Sequence, residues 1–245
     1  MSWSVVPLDL GNLRDRPKET ITYHRGEGET VDLVCYAWLL VGDDGPLLVD
    51  TGPSTGEHAG AFHRVRLEKS GDQALARALA AQGVDAADIG TVILTHLHWD
   101  HCYGLPQVPN ARVLVADREI RYGVYPDPND DRRKYEFSRG APFLKELRRM
   151  EAIVGEAEVA PGVRIIPTPG HSPGHQSVLV EAETTTYLLA GDFLDLYENW
   201  TDRCPSGGST IDVEAWQRSY DTVEELDVAV LPSHDPLVLR QAVYR

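Results

Sequence analysis

The sequence predicts a mixed α and β chain in which helices cover sheets. Short apolar runs closed by turn residues recur along its length; some follow one another as hairpins, and others alternate with segments of helical periodicity. No stretch rich in Pro, Gly or Ser divides the 245 residues, so residues 1–245 are expected to form one domain.

The elements follow in order. Val31–Val41 and Pro46–Val49 read as two strands, because Gly42-Asp43-Asp44-Gly45 between them has tight-turn composition. Gln73–Gln82 has Leu and Ala at helical spacing and stops at Gly83. Thr91–Leu94 and Ala111–Ala116 are apolar runs of strand type, and Asp117–Tyr122 is a short helix candidate. Pro126–Gly140 carries prolines, Asp130-Asp131 and Arg132-Arg133-Lys134 and reads as an exposed excursion, open to service as a lid or a homodimer contact. Pro142–Met150 reads as helix, with Arg148-Arg149 as a solvated face. Val163–Ile166, Ser177–Glu181 and Tyr187–Leu189 read as strands, Val213–Glu225 as a helix and Val228–Leu231 as the last strand. Gly45–Gly52 and Thr186–Asp192 echo each other, each running from a turn through Leu-Leu to an Asp.

Charge excludes whole classes of partner. Acidic residues number 38 and basic residues 23, a formal charge of −15. That field repels polyphosphate, which argues against nucleic acid and against an anionic membrane. No apolar run approaches the roughly 18 residues of a transmembrane helix. Met1–Asn12 lacks the basic start and apolar stretch of a secretory signal. Cys35, Cys102 and Cys204 contain no CxxC pair and fit reduced thiols, so the expected location is cytoplasmic.

One segment dominates the chemistry: Thr95-His96-Leu97-His98-Trp99-Asp100-His101, directly after the strand Thr91–Leu94. If strand geometry persists through His98, then His96 and His98 point to one side and can share a cation. Asp100 and His101 then reach a second position as the chain turns away. Neutral imidazole and carboxylate suit a borderline divalent ion such as zinc, iron, manganese or cobalt. A lone His beside a strand is commonly a surface or satisfied core residue; this many donors after a buried strand are costly unless something pairs them. Three later strands end alike, in Pro167-Thr168-Pro169-Gly170-His171, in Ala190-Gly191-Asp192 and in Pro232-Ser233-His234. Open α/β architectures gather their sites at such strand ends. Together His96, His98, Asp100, His101, His171, Asp192 and His234 are too many for one tetrahedral ion and suit two ions that share a carboxylate.

His96–His101 matches an HxHxDH signature. With the order and spacing of His171, Asp192 and His234, and with the Asp50-Thr51-Gly52 turn, the chain resembles the metallo-β-lactamase superfamily from about Val31 to Leu237. The resemblance implies a four-layer αββα sandwich of two mixed β-sheets flanked by helices, with two divalent ions, Zn2+ first among them, at one edge of the sheets. It implies His96, His98 and His171 on the first ion, Asp100, His101 and His234 on the second, and Asp192 between them. Two such cations lower the pKa of a bridging water from about 15.7 toward about 7 and give hydroxide at neutral pH. The resemblance also gives Asp100 the task of passing a proton to the leaving group. The implied reaction is hydrolysis of an ester, lactone, thioester or amide.

The ligand set narrows the substrate within the superfamily. The β-lactamases proper generally lack a bridging Asp where Asp192 stands, and flavodiiron oxidoreductases place Glu where His98 stands. Nucleic-acid-processing members need a basic face, and hydroxyacylglutathione hydrolases carry a basic C-terminal helical domain for which little chain follows His234. The N-acyl-homoserine-lactone lactonase group resembles this chain best, through Asp-x-x-Tyr-x-x-Glu-Asn after the bridging Asp. Here Glu198 and Asn199 keep that register, while Asp195 replaces the Tyr that contacts the substrate carbonyl. In extended chain Tyr197 shares the side of Asp195, so Tyr197 is expected to take that contact. The expected function is a dinuclear metal hydrolase that opens a lactone or similar small ester. A thioesterase and an iron-dependent sulfur dioxygenase are the alternatives.

The remaining residues are read more plainly. Pro173 and Gly174 forbid a helix that would set His175 beside His171, so His175 is expected behind the ligands. His24, His58 and His63 lie in polar stretches and read as surface residues, and Cys102 as a small buried one. Trp99, Tyr122, Tyr125, Tyr197 and Trp200 are candidate walls of an apolar pocket.

Overall fold

The computed structural model describes residues 2–127, 134–136 and 141–245. Arg132, Arg133 and most of the Pro126–Gly140 excursion lie outside them. Strands β1 (Ser4–Pro17), β2 (Thr30–Val41), β3 (Leu47–Val49), β4 (Arg66–Glu68), β5 (Thr91–Ile93), β6 (Arg112–Ala116) and β7 (Met150–Ile153) form one sheet, in the order β4-β1-β2-β3-β5-β6-β7. Strands β8 (Ala157–Ala160), β9 (Val163–Pro167), β10 (Gln176–Glu181), β11 (Thr186–Leu189) and β12 (Ala229–Leu231) form the other, in the order β12-β11-β10-β9-β8. Both sheets are mixed. β3, β5, β6 and β7 run parallel, and β12 runs parallel to β11; the other pairs are antiparallel. The helices are α1 (Gly56–His63), α2 (Leu75–Ala81), α3 (Trp99–Cys102), α4 (Asp117–Val124), α5 (Tyr197–Thr201) and α6 (Val213–Glu224).

Side-chain alternation builds the layers. Along β2, Ala37 and Leu39 face one way, and Tyr36, Trp38 and Leu40 the other. The first set joins Leu48, Val92 and Val113 beneath Leu75 and Leu79 of α2. The second joins Val49, Ile93 and Leu114 against Val178, Val180 and Leu189 of the facing sheet. The outer face of that sheet, through Ile166, Leu179 and Leu188, packs under Trp216, Tyr220 and Val223 of α6. Helix, sheet, sheet and helix follow one another, which is the αββα order. Each fully buried Val or Leu contributes roughly 1.5–3 kcal/mol of transfer free energy, so strands apolar on both faces settle only between two layers.

The expected strands and helices nearly all form, with small shifts at their ends. The predicted hairpin pairs Trp38 with Val49 and Leu40 with Leu47. Strand β1 was hidden in the sequence because register shifts between Asp9 and Asn12, and between Leu13 and Arg16, break its alternation. Pro142–Arg149 is helical as expected, in the form of a 3-10 helix. Arg149 is half-buried rather than solvated: its guanidinium donates to the carbonyls of Leu105, Val108 and Ala111.

Candidate metal centre

Strands of both sheets end at one edge. β5 leads into Thr95–His98, β9 into His171, β11 into Asp192 and β12 into His234. The turn after β3 braces the first of these segments. Asp50 sits in the left-handed region at φ 58°, which Asp tolerates better than most residues. Its Oδ1 accepts from the Thr95 amide at 2.8 Å, and its Oδ2 lies 2.8 Å from His101 Nδ1. Gly52 is required beside it, because a Cβ there would lie 2.4 Å from Leu10 Cδ1.

The predicted donors come together. His98 Nδ1 lies 2.9 Å from His96 Nε2 and 2.9 Å from His171 Nε2. Asp192 offers one oxygen to each side: Oδ2 is 3.4 Å from His171 Nε2 and 3.8 Å from His96 Nε2. Its Oδ1 is 3.0 Å from His101 Nε2 and 3.1 Å from His234 Nε2. The side chain of Asp100 groups with His101 and His234, with donor atoms within 4.8 Å of one another. Donors about 2.0–2.2 Å from a tetrahedral ion stand ~3.3–3.6 Å apart, so these separations accommodate two ions with Asp192 shared. The route to this convergence differs from the expected one. β5 stops at Ile93 and His98 is already the residue before α3, so a loop and a helix start, not a continued strand, bring His96 and His98 together.

Hydrogen bonds fix which nitrogen is free. His234 Nδ1 lies 2.9 Å from the Val34 carbonyl, which only accepts, so Nδ1 carries a proton and Nε2 is the nitrogen turned toward Asp192. Asp50 orients His101 in the same sense. His96 Nδ1 lies 3.0 Å from the Thr95 hydroxyl, whose own hydrogen goes to Asp50 at 2.9 Å. Nitrogens and carboxylate oxygens that converge in this way need protons or a cation among them. His101 Nε2 and Asp192 Oδ1 are close but not aligned for a hydrogen bond, and His101 Nε2 is buried without a hydrogen-bond partner. That geometry suits two donors aimed at a common third point.

The electrostatics agree. Burial holds His96, His98 and His171 well below the usual imidazole range, and so neutral. Burial also opposes charge on His101 and His234, but Asp192 outweighs it and raises both well above that range. Against its own burial, Asp192 is held well below the usual carboxylate range by His101, His234, His171 and His96. Positive charge is therefore favoured between Asp192 and these rings.

A cavity of about 330 Å³ opens over the donors. His98, Asp100, His171, Asp192, Asp195 and His234 form its polar side, and Leu13, Ile21, Leu33, Val65 and Trp99 are among its apolar walls. Tyr197 does not line it. The chain bends at Asp195–Leu196 and enters α5 at Tyr197, so strand alternation does not carry across. Tyr197 instead packs on the core cluster that contains Tyr244, whose hydroxyl donates to the Val238 carbonyl at 2.6 Å. Asp195 faces the cavity, with Oδ1 unpartnered and its carboxyl pushed up to about 7 by burial and then by Asp192. Of the other aromatic candidates only Trp99 lines the cavity: Tyr122 packs on the first core, Tyr125 is exposed, and Trp200 stacks on Tyr220. His175 lies behind the candidate donors, its Nδ1 2.9 Å from the Thr168 hydroxyl. Cys102 is buried, and its thiol reaches the Leu97 carbonyl. His24 is exposed as expected, but His58 and His63 are not free surface residues: both bond Glu136 Oε1, at 2.6 and 2.7 Å, and His63 stacks on Trp99.

Glu119 in α4 escaped the sequence reading. Its fully buried carboxylate accepts from the Leu97 amide and the Tyr135 hydroxyl on Oε1, and from the Ser172 hydroxyl and the Gly174 amide on Oε2. It therefore ties the loop carrying His96 and His98 to the loop carrying His171. No spacing marks it, because its burial arises from loops distant in sequence.

Known proteins share this arrangement of elements. The chain is 30% identical over 223 residues to an N-acyl homoserine lactonase of a Bacillus species, covering 85% of this chain and 84% of that relative. It is 28% identical over 253 residues to the N-acyl homoserine lactonase AttM of Azorhizobium caulinodans, covering 94% and 92%. A solved structure of an N-acyl homoserine lactone hydrolase, with the product N-hexanoyl-L-homoserine bound at its catalytic metal centre, matches with a TM-score of 0.80 at 25% identity. That match covers 98% of this chain and 95% of the other. The family described as the metallo-beta-lactamase superfamily matches residues 30–234, and the chain belongs to that superfamily.

Proposed function

We propose that this chain is a dinuclear metal-dependent hydrolase that opens a lactone or similar small ester, acting as one domain over residues 1–245. His96, His98 and His171 would hold one ion, Asp100, His101 and His234 the other, and Asp192 both. Zinc suits this nitrogen and oxygen set, and iron, manganese or cobalt are accepted by the same donors. The observation that carries the reading is the two-sided Asp192, each of whose oxygens faces its own group of imidazoles. The N-acyl homoserine lactonase relatives support the ester class of substrate.

When bound, two such ions lower the pKa of water and polarise a carbonyl oxygen. The protein's own groups do the rest. Asp50 and the Val34 carbonyl hold His101 and His234 with Nε2 bare toward Asp192. Leu13, Ile21, Leu33 and Trp99 exclude water around an apolar arm of the substrate. Asp100 lines the cavity beside His101 and His234, where its free oxygen can take the proton of the attacking water and return it to the ring oxygen. The acyl carbon gains the water oxygen, the ester C–O bond breaks, and the product is a hydroxy acid.

Purified protein should carry about two ions per chain and open simple and N-acylated lactones. His98→Ala should lower kcat by about a hundredfold or more while circular dichroism stays native. A fully active sample with a single ion, or undiminished turnover by the variant, would refute the assignment.

A further inference from the structure

The structure assigns a role to Arg16 that rests on the lactone reading above: we infer that its guanidinium binds an oxygen acceptor on the non-reacting arm of the substrate, a carboxylate or an amide carbonyl, and so sets specificity. Three observations carry this. Leu13 and Arg16 both line the cavity. In a regular strand, residues three apart face opposite ways. Here the register of β1 shifts between Leu13 and Arg16, and Asp15 between them adopts a left-handed φ of 53°. A bulge of this kind re-aims the side chains after it.

The second observation is pairing. Arg14, on the same strand, meets Asp32 and Glu68, and Arg66 on neighbouring β4 meets Asp15 and Glu68. Arg16 has no ion pair or hydrogen bond from its guanidinium among the described residues, although the chain carries 38 acidic residues.

The third is its setting. Arg16 is half-buried, and burial pulls its pKa down against the attraction of Asp100 and Asp195. The proposed function commits Asp100 to an ion, and Asp195 and Lys134 also line the cavity. A partly desolvated cation with five donors and no acceptor is satisfied by an oxygen that arrives with the ligand. The apolar walls leave a purely alkyl arm nothing to offer it.

The test compares metal-loaded wild type, Arg16→Gln and Arg16→Lys on three lactones of equal arm length. The arms end in a carboxylate, carry an amide carbonyl, or are alkyl only. Arg16→Gln should lower kcat/KM for the oxygen-bearing arms at least about tenfold more than for the alkyl arm, with the loss in KM rather than kcat. A carboxylate partner shows itself by strong weakening with salt and partial rescue by Arg16→Lys; an amide partner is insensitive to salt and not rescued. Equal losses on all three lactones, or none, would overturn the inference while leaving the hydrolase reading intact. Wild type that opens none of the three would overturn both.

Discussion

Asp50 does not line the cavity, yet it sets which nitrogen His101 would present to the proposed second ion. Its Oδ2 receives the His101 Nδ1 proton and its Oδ1 the Thr95 amide. Asparagine tolerates the same left-handed backbone, so Asp50→Asn isolates the chemistry. With its oxygen kept by Thr95, the amide NH2 would face His101 Nδ1. That favours the tautomer with hydrogen on Nε2 and blocks the lone pair. The variant should fold normally and hold the second ion about 10–100-fold more weakly, so that dialysis against a mild chelator leaves about one ion per chain. Retention of both ions would show that Asp50 is only structural. Tyr197 supplies the opposite case. It packs on the core between the sheets and does not line the cavity. Tyr197→Phe should cost about 1 kcal/mol in chemical denaturation and leave kcat/KM on a lactone within about twofold of wild type. A large loss of turnover at unchanged stability would restore the catalytic role suggested by its spacing.

The short helix α4 works as a strut because of one buried acid. Glu119 satisfies donors from Leu97, Ser172, Gly174 and Tyr135. Glutamine keeps the shape but has one acceptor oxygen, so donors on its nitrogen side lose their partner at about 1–3 kcal/mol each. Glu119→Gln should therefore lower Tm and loosen the first ion together. Gly174→Ala tests the same contact from the other side. A Cβ at Gly174 would lie 2.1 Å from the Glu119 amide nitrogen and 2.5 Å from its Cα, both backbone atoms that cannot swing aside. The alanine variant should lose metal in equilibrium competition more readily than wild type, and normal retention would mean that the loops hold themselves. Glu119 also marks where sequence reading ends. The HxHxDH segment and the strand-end His171, Asp192 and His234 were legible because local spacing and apolar runs set them out. The clamp, the bulge that turns Arg16 inward and the bend that turns Tyr197 away depend on contacts between distant segments, which no window of sequence contains.

At the scale of the molecule, the donors join the two sheets. His96, His98, Asp100 and His101 follow β5 of the first sheet, while His171, Asp192 and His234 follow β9, β11 and β12 of the second. Ions held there bind only the native arrangement, so they stabilise it by mass action, about 2.7 kcal/mol for each ion at a hundredfold excess over its Kd. For a chain of this size 1 kcal/mol moves Tm by about 2–4 °C, so stripping both ions should lower Tm by roughly 10–20 °C in calorimetry. The effect has a sign in pH as well. Without ions, His101 and His234 have raised pKa values beside Asp192 and keep their protons into the neutral range. An ion must displace those protons, so affinity rises with pH through that range and falls as acid is added. The Tm difference between loaded and stripped protein should therefore be largest on the alkaline side of neutrality and shrink toward pH ~5. A difference that stayed constant across that range would mean that ions and protons do not compete for the same nitrogens, and the ligand assignment of His101 and His234 would fall with it.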